Sequence, residues 1–171
     1  MEEKKTPTKE ASFDTYDASD RPFDFVGEDV GTAIICEPDP SLGKKLAAAM
    51  KNLGYQITEP PALKDALKNM RYHVYDVVIV NENFGTDDPA ANEVLQYLAH
   101  LNMNTRREIF AVLISSRFRT MDNMAAYNQS VNLIINTKNI NDAGQIIKTG
   151  INDNDAFYHV YKEILRKKGR G

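Results

Sequence analysis

The sequence predicts an α/β fold, a parallel sheet covered by helices on both faces, and three observations carry that prediction. After Asp76 the run Val77-Val78-Ile79-Val80 is apolar and β-branched at every position, which suits a strand buried on both faces. The run then stops in Asn81-Glu82-Asn83, polar residues placed where open α/β sheets hold their sites, just beyond the carboxyl ends of the strands. On either side of it, short apolar runs alternate with segments of helical period, five times in all and with short links. Right-handed crossovers between parallel strands are the arrangement that satisfies such a pattern.

Each element has its own justification. Thr32 to Glu37 is a short apolar strand ending in a carboxylate. Asp39-Pro40 then reads as an N-cap followed by proline at the first helical position, opening a helix to about Leu53 with Leu42, Leu46, Ala49, Met50 and Leu53 on one face and Gly54 closing it. Tyr55 to Glu59 is the second strand, and Ala62 to about Tyr72 the second helix, with Leu63, Ala66, Leu67 and Met70 facing inward. The central strand, Asp76 to Val80, is followed by a loop from Asn81 to Pro89 and a helix from about Ala91 to Leu101. Asn102 to Arg107 connects to the fourth strand, Ile109 to Ile114, which ends in Ser115-Ser116. The fourth helix starts at Thr120 or Asp122 and reaches about Ser130; its apolar residues are sparse, so it is expected to be the most exposed. Val131 to Ile135 is the fifth strand. From about Asn141 to Lys168 the pattern is helical, with Gly150 and the Asn152 to Asp155 cluster as candidate breaks.

Composition bounds the rest. With 171 residues, 42% of them hydrophobic, the chain has material for one good core, so a single domain over residues 30–150 is expected, with a C-terminal helical extension, 151–171, packed on or continuing the last helix. Residues 1–29 hold nine acidic and four basic residues and little aliphatic content, which reads as a flexible acidic tail. Phe13, Tyr16, Phe23, Phe25 and Val26 are its exceptions, and the last three, adjoining the first strand, are candidates for docking. A net charge of −3 gives no global attraction to nucleic acid or anionic lipid. The one cysteine, Cys36, forms no internal disulfide and no cysteine-based zinc site, and His73, His100 and His159 are scattered. No apolar stretch approaches the roughly 20 residues that cross a bilayer, and the N-terminus lacks the apolar core of a secretory signal, so a soluble cytoplasmic protein is expected.

Five such units, with Gly54-Tyr55 after the first helix and Tyr75-Asp76-Val77-Val78-Ile79-Val80 before the central polar position, resemble the receiver domain of two-component response regulators over about Gly31 to Gly150. The resemblance implies a flavodoxin-like three-layer sandwich with strand order 2-1-3-4-5. It also implies a phosphoacceptor aspartate at the end of the third strand, where this chain has Asn81, and an acidic pair for Mg²⁺ after the first strand, where it has Glu37 and Pro38. The family's hydroxyl is kept as Ser115. Its lysine falls on Thr137 or, one residue on, Lys138, and its fifth-strand aromatic is replaced by an aliphatic, Ile134. More narrowly, Arg117 to Met124 and Ser130 to Asn136 resemble the atypical receivers that follow bacterial zinc-ribbons, although the ribbon's cysteines are missing.

The resemblance therefore implies a degenerate receiver site of Glu37, Pro38, Asn81, Ser115, Thr137 and Lys138, and no catalytic residue, metal or cofactor is expected. Glu37 and Glu82 form either a vestigial divalent-cation site or ordinary salt bridges and solvated carboxylates. Arg117 or Arg119 supplies a permanent cation against Glu37 or Glu82, or both are solvated. The basic end of the last helix, Lys162 to Arg170, is accounted for by the helix dipole without invoking nucleic acid. No Gly-rich phosphate loop or nucleophile elbow is present. The expected function is a non-enzymatic, phosphorylation-independent signalling module that binds a protein, or a second copy of itself, through the surface the receiver resemblance implies, that of the fourth helix, fifth strand and last helix. The alternatives are a phosphoacceptor that uses a displaced carboxylate such as Glu82, and a sensor of a small ligand or nucleotide at the carboxyl edge of the sheet.

Overall fold

The computed structural model describes residues 30–169, so the expectations for residues 1–29 lie outside the described part. Five parallel strands, β1 (Thr32–Cys36), β2 (Gln56–Thr58), β3 (Val77–Asn81), β4 (Phe110–Ser115) and β5 (Leu133–Asn136), form one sheet in the order β2-β1-β3-β4-β5. This is the expected flavodoxin-like three-layer sandwich. The alternation of side chains along each strand explains the layers. Ile34, Val78, Val80, Leu113 and Ile134 point to one face and pack with Ala66, Met70, Val94, Leu98 and Ala126. Ala33, Ile35, Val77, Ile79, Val112 and Ile114 point to the other and pack with Leu46, Met50 and Ile147. Each of the larger of these side chains contributes about 1.5–3 kcal/mol by leaving water. Both faces of β3 are therefore covered, as its unbroken apolar run requires.

Helices α1 (Pro40–Asn52) and α6 (Ala143–Lys167) lie on the second face, and α2 (Leu63–Tyr72), α3 (Glu93–His100) and α5 (Asn123–Asn128) on the first. Asp39 caps α1 by accepting a hydrogen bond from the Ser41 amide, and Gly54 ends its turn at φ +88°, in the left-handed region that favours glycine. The third helix starts later than its apolar pattern suggests. A 3₁₀ turn, Pro89–Ala91, comes first, and Asn92 is the cap. A four-residue helix, α4 (Met103–Arg106), occupies what reads in sequence as plain connection, because Asn102 caps the Thr105 amide. Of the two candidate starts for α5, Asp122 is the cap. Met124 and Tyr127 stand largely in solvent while only Ala126 is buried, in keeping with a sparse apolar face. Strand β5 begins at Leu133, two residues past the expected start. No helix among the described residues is long and apolar enough to cross a membrane.

The last helix is continuous. It runs 25 residues through Gly150 and the Asn152 to Asp155 cluster, and a packing requirement explains the glycine. A Cβ at position 150 would lie 2.9 Å from Cζ of Phe110 and 3.4 Å from Leu133 Cδ2, inside the core that α6 closes. The helix thus tolerates a poor helix former because a side chain there would push it off the sheet. Gly150→Val is expected to lower stability by about 1–2 kcal/mol, the overpacking cost outweighing any relief of glycine's helix penalty. Chemical denaturation of the variant checks this, and a more stable Gly150→Val protein would show that α6 seats loosely.

Candidate functional site

The site lies at the carboxyl edge of β1, β3, β4 and β5. Parallel register brings Cys36 level with Val80, Asn81 with Ile114, and Ser115 with Asn136. The residues that follow Cys36 and Val80 meet directly. The Asn81 Nδ2 group donates to Glu37 Oε2 at 2.8 Å and lies 3.0 Å from Oε1, while Asn81 Oδ1 accepts the Asn83 amide at 2.9 Å. A carboxylate can only accept, so the amide must turn its nitrogen to Glu37, and its oxygen is left to close the turn after β3. Asn81 is buried and both ends of its side chain are satisfied. Burial pushes the Glu37 carboxyl up from its ordinary value, the Asn81 amide and the Asp39 N–H draw it partly back, and the Asp39 charge adds to the rise. Burial likewise pushes the Cys36 thiol far up, so it is a neutral core side chain.

A second cluster stands beside the first and does not merge with it. Glu82 is 3% exposed, yet its carboxylate is fully engaged. Oε2 accepts from Arg117 Nε at 2.8 Å, and Oε1 accepts from the Ser116 amide at 3.1 Å, with the Ser116 hydroxyl at 3.4 Å. The Arg117 guanidinium also lies over the Phe118 ring, 4.9 Å from its centroid. Arg119, the other candidate cation, is directed elsewhere: its nearest carboxylate is Asp122 at 3.9 Å, and its side chain is 90% exposed. Of the pairings the sequence leaves open, the structure has the one between Arg117, half in solvent, and the buried Glu82.

Ser115 is buried, and its hydroxyl accepts the amides of Arg117 and Phe118 at 3.0 and 3.3 Å, which holds the loop after β4 in a tight turn. Pro38 carries no ligating atom on its side chain. Thr137 opens a 3₁₀ turn, Thr137–Asp142, and Lys138 is exposed, its amide held by Asn136 Oδ1; neither side chain is hydrogen-bonded to Asn81 or Glu82. Among the described residues no three His, Cys, Asp or Glu side chains come together as a metal-binding group. Glu37 and Glu82 belong to separate networks, one ending in an amide and the other in a guanidinium.

Two residues that organise this edge were not singled out in the sequence. Asn92 is buried, and its Nδ2 donates to the carbonyls of Asn81 and Glu82 at 3.1 Å each while its Oδ1 caps Val94 and Leu95 at the start of α3. Asn136 donates to the Phe118 carbonyl at 2.7 Å, tying the β4 loop to β5. The available signal for Asn92 was an Asn-Glu pair at the head of an apolar helix, a capping pattern. For Asn136 the sequence held no comparable signal.

No family model matches the chain, and no curated protein does. Solved structures do match in shape. The signal receiver domain of a DNA-binding response regulator from Colwellia psychrerythraea aligns with a TM-score of 0.57 and 14% identity, covering 71% of this chain and 98% of its own. A receiver domain of a Francisella response regulator gives 0.55 and 17%, covering 71% and 94%, and an orphan response regulator of H. pylori gives 0.53 and 16%, covering 70% and 95%. At such identities the likeness speaks for the fold, and the fold of this chain is that of a response-regulator receiver domain.

Proposed function

We propose that this domain is a receiver-like signalling module that works without phosphorylation, by binding protein. The observation that carries the reading is the contact of Asn81 with Glu37. At the end of β3, where a receiver would hold its acceptor carboxylate, an amide donates to the neighbouring carboxylate with both of its ends occupied. An amide forms no acyl phosphate, and Glu37 spends its charge on that amide where a metal ion would otherwise be held. Pro38 adds no second carboxylate. Glu82, the carboxylate that follows Asn81 in the chain, is buried and committed to Arg117 and Ser116, which disfavours it as a displaced acceptor. We read the domain as non-enzymatic and, with a single buried thiol, suited to the cytoplasm.

For the interaction itself the surface favoured is that of α5, β5 and α6. Met124 and Tyr127 are large, apolar and exposed there. Beside them a groove of about 590 Å³ runs between α3, α4, α5 and α6, lined by Leu101, Met103, Arg106, Tyr127, Val131 and Tyr158. Incubation with acetyl phosphate and Mg²⁺, followed by intact-mass measurement, tests the central claim. No mass increase is expected. A stoichiometric gain of one phosphoryl group, abolished in Glu82→Ala, would overturn it in favour of a displaced acceptor.

A further inference from the structure

Beyond Ile151 the last helix carries two kinds of apolar residue. Tyr158, Tyr161 and Leu165 are half-buried, and the Arg107 guanidinium lies 5.2 Å from the Tyr161 ring centroid. Phe157, Val160 and Ile164 are not covered: they are 80, 64 and 48% exposed. At 3.6 residues per turn these three fall within roughly 60° of one another around the helix, directly beside Tyr161. A surface helix ordinarily turns charge to water, so three large apolar side chains in register make a contiguous interaction face.

The charges at the ends of this stripe say what covers it. Asp153 precedes it and Lys167 and Lys168 follow it, all exposed and on the same side of the helix. The order Asp153, Phe157, Val160, Tyr161, Ile164, Lys167-Lys168 is nearly symmetric about its middle in hydrophobicity and opposite in charge at its two ends. A second copy running parallel would set aspartate beside aspartate and lysine beside lysine. A copy running antiparallel sets Asp153 against Lys167 and Lys168 of the partner subunit, Phe157 against its Ile164, and Val160 against its Tyr161. Such a surface is self-complementary, as a two-fold interface must be. Lys167 already meets Glu163 of its own helix at 2.8 Å, an exposed pair that loses little by being shared.

We infer that the occupant is a second copy of this chain, paired antiparallel through residues 153–168 of α6 about a two-fold axis near Val160 and Tyr161. This deepens the protein-binding reading by naming a partner, and it stands apart from the phosphorylation question. The contact is small, and the affinity belongs to the micromolar class. Sedimentation of the full 171-residue chain at concentrations up to about 100 μM, where such a dimer is mostly formed, is the test. Val160→Glu and Ile164→Glu are each expected to weaken association at least tenfold, with circular dichroism melts confirming that both variants fold. Asp153→Lys weakens it, Lys167→Glu with Lys168→Glu weakens it, and the three changes together restore it. A wild-type protein that stays monomeric at the highest concentration would overturn the pairing while leaving the phosphorylation-independent reading intact. A dimer indifferent to Val160→Glu would assign the interface to another face, and one indifferent to Asp153→Lys would exclude the antiparallel arrangement.

Discussion

Asn81→Asp is expected to destabilise the domain by about 3 kcal/mol at neutral pH, although the new residue has nearly the same shape. It replaces a donor with an acceptor 2.8 Å from the Glu37 carboxylate. A charge-assisted hydrogen bond worth roughly 1.5–3 kcal/mol is lost, and two like charges face each other at a half-buried edge. The effect depends on pH in a defined direction. Burial already raises the Glu37 carboxyl above its unfolded value, and a neighbouring carboxylate raises it further. A carboxyl whose folded pKa is raised contributes stability that is present below the unfolded value and is lost as the pH rises through the folded value. The penalty of Asn81→Asp should therefore shrink as the pH falls through the raised carboxyl range, whereas a surface carboxylate would leave the difference between variant and parent nearly flat. Urea denaturation of both proteins from neutral to acidic pH measures it. A penalty independent of pH would mean that the two side chains separate. The same variant should not be phosphorylated efficiently, since it supplies a nucleophile while Pro38 leaves the metal a ligand short.

Arg117→Met is expected to cost about 2 kcal/mol, less than the 3–5 typical of breaking a fully buried pair because half of the arginine side chain is in solvent. The loss comes from the partner left behind: Glu82 is enclosed and keeps only the Ser116 donors. Glu82→Leu paired with Arg117→Met should recover part of it, since removing both charges leaves no unpaired charge, although the Ser116 amide loses its acceptor. A double-mutant cycle read by denaturant midpoint measures the coupling. Additive losses would show that the 2.8 Å contact contributes little and that the fold holds the β4 loop by Ser115 and Asn136 alone. Millisecond exchange of that loop, measured by relaxation dispersion, should rise in Arg117→Met and stay unchanged in Arg119→Ala, whose side chain touches neither network.

How much of this was legible follows from the range over which each feature is decided. The β-branched run of β3, the Asp39-Pro40 helix start and the glycine stop at Gly54 are decided within a few residues, and their patterns are clear in the chain. Strand order is implied by the resemblance to receiver domains; short right-handed crossovers narrow the possible orders without choosing among them. Asn81 is conspicuous because an apolar run ends in an amide. Its bond to Glu37 is not, because 44 residues separate the two and only the register of β1 against β3 brings them together. The choice of Arg117 over Arg119 depends on the turn that Ser115 imposes, which sequence spacing does not encode. The four residues of α4 are too few to show a period, and Gly150 looks like a break because its packing partner, Phe110, lies 40 positions away.

Asn92 has a consequence for how the site comes apart. Its amide joins the last carbonyls of β3 to the first turn of α3, so neither can be released alone: freeing the Asn81 and Glu82 carbonyls uncaps the helix, and fraying the helix uncovers the strand end. The carboxyl edge of the central strand therefore opens together with the head of a helix packed in the core, as one cooperative unit. A loop at this edge would ordinarily belong to the least protected part of such a domain. Here one side chain couples its opening to that of the helix beside it.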